Sequence, residues 1–301
     1  MSKDTKEKKK LFKGERTAST IVIIIGLALF LVTVVMNWVS VMTAVLAAIA
    51  ATATFEVVRA VGNKSKLLYV ISCAVSFFTV AAVGFGVSVP AIGILYSFYA
   101  LILLSLGVFD NKNIQFVHTV TAFFASMALP YAFSCFIRLN NIADINPDYT
   151  HQEGIYLVGL GFAASWLTDS FAYLVGRKFG KHKMAPVISP KKSIEGAIGG
   201  VVITAAFNVL ILYLFTVGCK NLYDYTLFGE SAMKYLYIIP ISVVLSLVSM
   251  VGDLSASVLK RNFGIKDYSQ LLPGHGGIMD RFDSCTFVIP VLYGIIALIS
   301  L

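Results

Sequence analysis

Apolar residues run along this chain in nine long blocks separated by short polar breaks. They lie at about residues 20–37, 40–60, 67–87, 90–109, 116–137, 155–176, 196–217, 235–259 and 284–300. Each block is close to the roughly 17–25 residues that an α-helix needs to cross a bilayer. Apolar side chains occur all round each block instead of along one stripe, which fits burial in lipid or among neighbouring helices. The pattern predicts an all-α, polytopic transmembrane protein of about nine spans, two of them joined by a very tight turn at Trp38.

Composition points the same way. Of 301 residues, 57% are hydrophobic and only 13% charged, and the mean hydropathy is +0.81. A soluble domain has about 45–50% apolar and about 25% charged residues. No polar stretch is long enough to fold by itself. The basic segment 1–16 followed by an apolar run resembles a signal peptide, but the run continues to about Met36 without an A-x-A cleavage pattern, so a retained first helix is predicted. Cys73, Cys135, Cys219 and Cys285 are scattered, with no CxxC, and read as small hydrophobes.

The net charge of +8 could mean a nucleic acid or an anionic lipid as partner; its placement decides. With a cytoplasmic N-terminus, all of the 24 Lys and Arg except Arg138, Lys220 and Lys234 fall in cytoplasmic segments. That asymmetry is the positive-inside rule. It predicts a multi-pass cell-membrane protein with its C-terminus outside, membrane lipids as surroundings and no nucleic-acid partner. The chain divides into a basic cytoplasmic tail (1–18), N-terminal transmembrane helices (19–139) that read as featureless hydrocarbon, and a C-terminal catalytic region (154–301). The outer loops 140–153 and 220–230 read as connectors, and His118, His151 and His182 as solvated loop histidines. No internal repeat of the transporter kind is evident.

The C-terminal region carries nearly all the polar groups in or beside the spans. Asp169, Asp253, Asp280 and Asp283 lie at membrane depth or at its edge, where a carboxylate is costly and therefore a functional candidate. The spacing of Asp280 and Asp283 predicts two carboxylates on one helix face. Brought beside Asp253, they would offer three hard oxygen donors of the kind that suit Mg²⁺. Between them lie Lys260, Arg261 and Lys266, able to neutralise phosphate. The Pro-Gly-His-Gly-Gly run around His275, Gly276 and Gly277 would let backbone N–H groups approach an anion. A second basic segment, Ser189-Pro190-Lys191-Lys192-Ser193, is predicted to open a helix that is only partly capped by Ser193.

These residues resemble a known family. SVLKR at 257–261, KDYS at 266–269 and LPGHGGIMDRFD at 272–283 look like the signature of the phosphatidate cytidylyltransferases. WLTDSFAY at 166–173 and SPKKS at 189–193 are similar to that family's other recurring segments, and the likeness covers about 155–301. One departure is Ala256, where many bacterial members carry a glutamate and others a small residue. The resemblance implies transfer of CMP from CTP to phosphatidic acid, giving CDP-diacylglycerol and pyrophosphate, with Mg²⁺ and room for a second metal ion. It implies Asp253, Asp280 and Asp283 as metal ligands, with Lys260 and Arg261 beside them at the reacting phosphates. Ser257, Lys266, Arg281, Asp169, Ser189, Lys191, Lys192, His275, Gly276 and Gly277 would bind substrate. The signature segment 252–284 would face the cytoplasm, and a homodimer stays open. Two other readings stand beside this one: a cytidylyltransferase for an isoprenoid-ether lipid phosphate, and an ion-coupled transporter. Against transport, the acids gather at one surface and not at the midplane. A CDP-alcohol phosphotransferase is set aside because the D-G-x-x-A-R…D-x-x-x-D spacing is missing.

Overall fold

The computed structural model describes residues 3–62 and 65–299. Of the predicted basic tail, residues 1–2 and the side chains of 3–16 and 18 lie outside the described residues, as do Asn63 and Lys64. Every predicted apolar block is a helix. In chain order these are α1 (Lys3–Val35), α2 (Val39–Ala60), α3 (Lys66–Gly84), α4 (Val89–Phe109), α5 (Phe116–Asn140), α7 (His151–Phe179), α8 (Ile194–Tyr223), α9 (Met233–Asn262) and α11 (Cys285–Ile299). Two short helices, α6 (Ile142–Ile145) and α10 (Met279–Phe282), lie between them. Among the described residues seven helices are long and apolar enough to cross a membrane, and Ser19–Val35 and Cys285–Ile299 are shorter apolar helices.

One element departs from the all-α expectation. Strands β1 (Lys183–Ala185) and β2 (Ser189–Ser193) form an antiparallel hairpin. Ser189, Lys191 and Lys192 therefore sit on a strand and not in a helical first turn. Helix α8 begins only after Ser193, whose hydroxyl accepts from Gly196 N at 3.2 Å. That bond satisfies one of the orphan N–H groups of a helix start.

The chain forms two compact units. Residues 1–134 and 262–282 make the first, 135–261 and 283–301 the second. In the first, α2 packs along α3, and α1, α4 and α10 join this pair. Buried hydroxyls stitch its helices together: Thr54 with Ser76 at 2.8 Å, and Tyr99 with Ser72 and Ser126 at 2.9 Å each. His118 is buried, not solvated, and its Nδ1 accepts from Gln115 N at the start of α5.

In the second unit α7 and α8 form the closest pairing, with α11 against α7. Gly176 and Gly180 on one side face Ser193 and Gly196 on the other. A Cβ on Gly196 would lie 2.5 Å from Ala172 O and 2.9 Å from Gly176 Cα. This is small residues at four-residue spacing bringing two backbones together. Thr168 donates to Ser246 at 2.9 Å and Asn208 to Ser242 at 3.0 Å, tying α9 to the pair. The segments 140–153 and 220–230 are more than connectors. Buried Glu153 completes a capping box with Thr150 and also accepts from Tyr225 Oη and Phe228 N, pinning 220–230 to the start of α7.

Candidate active site

Four separate stretches of the second unit deliver charge to one place. Helix α7 brings Asp169, strand β2 Lys192, helix α9 Asp253 and Lys260, and the turn before α11 Asp283 and Ser284. The ammonium of Lys192 stands between two carboxylates, 3.5 Å from Asp169 Oδ1 and in contact with Asp253 Oδ2. Ser284 Oγ donates to the other oxygen of Asp169 at 2.9 Å. Lys260 Nζ lies 3.9 Å from Asp283 Oδ2. Asp283 is buried, and its Oδ1 accepts from Ser284 N at 2.9 Å.

The local sequence explains this delivery. Successive strand residues point to opposite faces, so β2 turns part-buried Lys192 inward and leaves Lys191 exposed. Gly252, one residue before Asp253, accepts the Phe287 ring where a Cβ would lie 2.8 Å from Cδ2, which lets the start of α11 come close to α9. Burial opposes the charge on Lys192, but the Asp253 and Asp169 carboxylates outweigh it and hold its pKa above the ordinary lysine value. Burial pushes the Asp283 carboxyl above the usual carboxylate range, with the Asp253 carboxylate adding to the effect and Lys260 opposing it.

Beside this cluster lies a cavity of about 170 Å³, lined among others by Asp169, Tyr173, Ser189, Lys191, Lys192 and Met250. Ser257 is half-buried one turn beyond Asp253, and Arg261 is exposed at the end of α9. The donors are hard oxygens throughout, with a cation already lodged between two of them. That chemistry fits Mg²⁺, which takes one or two carboxylates and completes its shell with phosphates and water. Among the described residues no three His, Cys, Asp or Glu are grouped to hold a metal ion by themselves. The expected convergence of Asp253, Asp280 and Asp283 into one three-carboxylate group is therefore not observed.

The remaining predicted residues belong to the first unit, and here the expectations change. Asp280 lies in the single-turn helix α10, which ends before Asp283, so no shared helix face carries the two. Asp280 Oδ2 accepts from Tyr268 N and Gly277 N at 2.9 Å each. The amides of Ile278 and Met279 point at a carboxylate that the sequence reading passed over, Glu56 of α2. The glycine-rich run does present N–H groups to anions, but the anions are the protein's own. Gly276 has φ +82°, which only glycine adopts freely, and its carbonyl accepts from Leu272 N at 2.9 Å. His275 Nε2 lies 3.4 Å from Thr20 Oγ1. Lys266 and Arg281 are exposed. Glu56 was detectable, because it is the one acid inside the apolar block 40–60.

A membrane protein of apolar helices with a lysine–carboxylate cluster beside a small cavity is what fold and site define. The chain belongs to the cytidylyltransferase family, whose profile matches residues 15–299. It is 35% identical over 193 residues to a Staphylococcus saprophyticus phosphatidate cytidylyltransferase, covering 64% of this chain and 65% of the relative. It is 43% identical over 143 residues to one from Staphylococcus aureus, covering 48% and 50%. Against one from Bacillus subtilis it is 36% identical over 203 residues, covering 67% of each. The chain thus spans between half and about two thirds of the length of these relatives.

Proposed function

We propose that the protein is a phosphatidate cytidylyltransferase of phospholipid biosynthesis. A phosphate oxygen of phosphatidic acid bonds to the α-phosphorus of CTP, the bond from that phosphorus to the bridging oxygen breaks, and pyrophosphate leaves with CDP-diacylglycerol as product. The observation that carries this reading is the meeting of Asp169, Lys192, Asp253, Lys260 and Asp283 from four chain segments. All five fall within the stretch of about 155–301 that resembles the family, and all but Asp253 within its recurring segments.

Phosphoryl chemistry of this kind asks the protein mainly for positioning and charge neutralisation. Lys192 and Lys260 are fixed by carboxylates with their ammonium groups at the cluster, ready to meet phosphate oxygens. Ser189 and Lys191 line the adjoining cavity and would hold substrate there, with Ser257 and Arg261 near the end of α9. Asp253 and Asp283 would hold Mg²⁺, and Asp169, tied to Ser284, would keep Lys192 in place. When bound, the metal supplies Lewis-acid polarisation of the phosphates. The attacking phosphate is already anionic, so no protein base is needed.

The charge asymmetry supports nine spans with a cytoplasmic N-terminus; the tail would be 1–18, the N-terminal helices 19–139 and the catalytic region 154–301. CTP is cytosolic and too highly charged to cross hydrocarbon unaided. The test supplies purified protein in detergent with labelled CTP, Mg²⁺ and phosphatidic acid. CDP-diacylglycerol and pyrophosphate should appear in equal amounts, and EDTA should abolish both. Asp253→Asn should remove turnover while insertion and folding persist. An absence of CDP-lipid from the wild-type protein sinks the proposal.

A further inference from the structure

Glu56 is 1% exposed, in a helix whose other buried side chains are apolar apart from Thr43 and Thr54. A carboxylate there is costly unless donors surround it. It has three in the first unit: Ser269 Oγ at 2.6 Å, Ile278 N at 3.0 Å and Met279 N at 2.8 Å. The first lies just before the 270–276 tip of the 263–278 loop and the other two just beyond it, at the start of α10. Asp280 joins the same two ends through Tyr268 N and Gly277 N. Two carboxylates thus staple the loop shut at its neck. Gly277 is required for this, because a Cβ there would lie 2.5 Å from each Glu56 oxygen. Helix α1 holds the loop's tip: Ser19 Oγ donates to Pro273 O at 2.8 Å, close to the Thr20–His275 contact.

We infer that Glu56 is a positioning residue for the reaction, acting by fixing the loop that carries Lys266 and His275 and the start of α10, which carries Asp280. The inference rests on the cytidylyl-transfer reading and adds a residue from outside the segments that resemble the family. It also reassigns the amides of Gly277, Ile278 and Met279. They hold internal carboxylates and are not available to substrate phosphate. Lost orientation shows in turnover, because the groups that bind substrate elsewhere remain.

The test compares wild type, Glu56→Gln, Ser269→Ala and Gly277→Ala in two measurements. The first is amide hydrogen exchange over 265–280 without substrate. The second separates kcat from KM for CTP. Glu56→Gln keeps the shape but places an amide group against an N–H donor. It should speed exchange at Ile278 and Met279 about tenfold or more and lower kcat about 10–100-fold, with KM within about threefold. Ser269→Ala removes one donor and should give a smaller effect in the same direction. Gly277→Ala should resemble Glu56→Gln, and adding Glu56→Asp, which shortens the acid, should restore part of kcat. Unchanged exchange in all three variants overturns the staple. Faster exchange with wild-type kcat overturns the positioning role. An inactive wild-type protein defeats the reaction reading and the catalytic part of this inference together, while exchange still decides whether Glu56 holds the loop.

Discussion

Lys191 and Lys192 are chemically identical neighbours, and the strand separates their fates. Lys192 turns inward between Asp169 and Asp253, where its side chain is 20% exposed; Lys191 faces outward. Removing an ammonium from between two part-buried carboxylates leaves their repulsion uncompensated, which costs more than the intact pair contributes. Lys192→Met should therefore lower kcat/KM about 100-fold or more, while Lys191→Met, which removes an exposed substrate contact at the mouth of the cavity, should lower it about 3–10-fold. Steady-state kinetics with both variants in one detergent checks this, and equal effects would refute the inward assignment. The basic pair itself was legible in the sequence. Which lysine matters was not, because that depends on whether the segment is strand or helix.

At the scale of elements, hydrocarbon length alone located nine helices among the described residues, seven of them long and apolar enough to cross a membrane. The hairpin escaped because SPKKS has no apolar alternation and contains a proline, so nothing local marks it as a strand. Its antiparallel register, Lys183 with Ser193 and Ala185 with Ser189, depends on the helices at either end. Those helices meet through glycine, which also makes the pairing testable. A methyl at Gly196 would strike backbone atoms of α7 that cannot rotate away, whereas Gly218 on the same helix has nothing within 4 Å. Gly196→Ala should destabilise by about 1–3 kcal/mol through overpacking. It should also cut activity by shifting the strand that carries Lys192. Gly218→Ala should be neutral, or stabilise by about 0.5–1 kcal/mol through helix propensity. Thermal unfolding in detergent distinguishes the two, and similar melting points would contradict the close α7–α8 contact.

Across the whole molecule, the continuous motif at 252–284 contributes to both compact units, with breaks between Arg261 and Asn262 and between Phe282 and Asp283. No periodicity in the sequence announces that division. Nor does any pattern tie Glu56 to a loop more than two hundred residues later; such pairings exist only after folding. The N-terminal helices are thus more than hydrocarbon, since α1 and α2 grip the loop. What the sequence does carry at this scale is charge asymmetry, and the proposed orientation follows from it. The four cysteines are buried or part-buried, so replacing them by Ala gives a background for single labels at exposed sites. In intact cells an impermeant maleimide should react at Asp148→Cys and Glu230→Cys, on the proposed outer loops. Lys181→Cys and Asp267→Cys should react only after permeabilisation. Labelling of either of the latter from outside would invert the topology and place the lysine–carboxylate cluster where cytosolic CTP is absent, so this experiment bears on the orientation and the function at once.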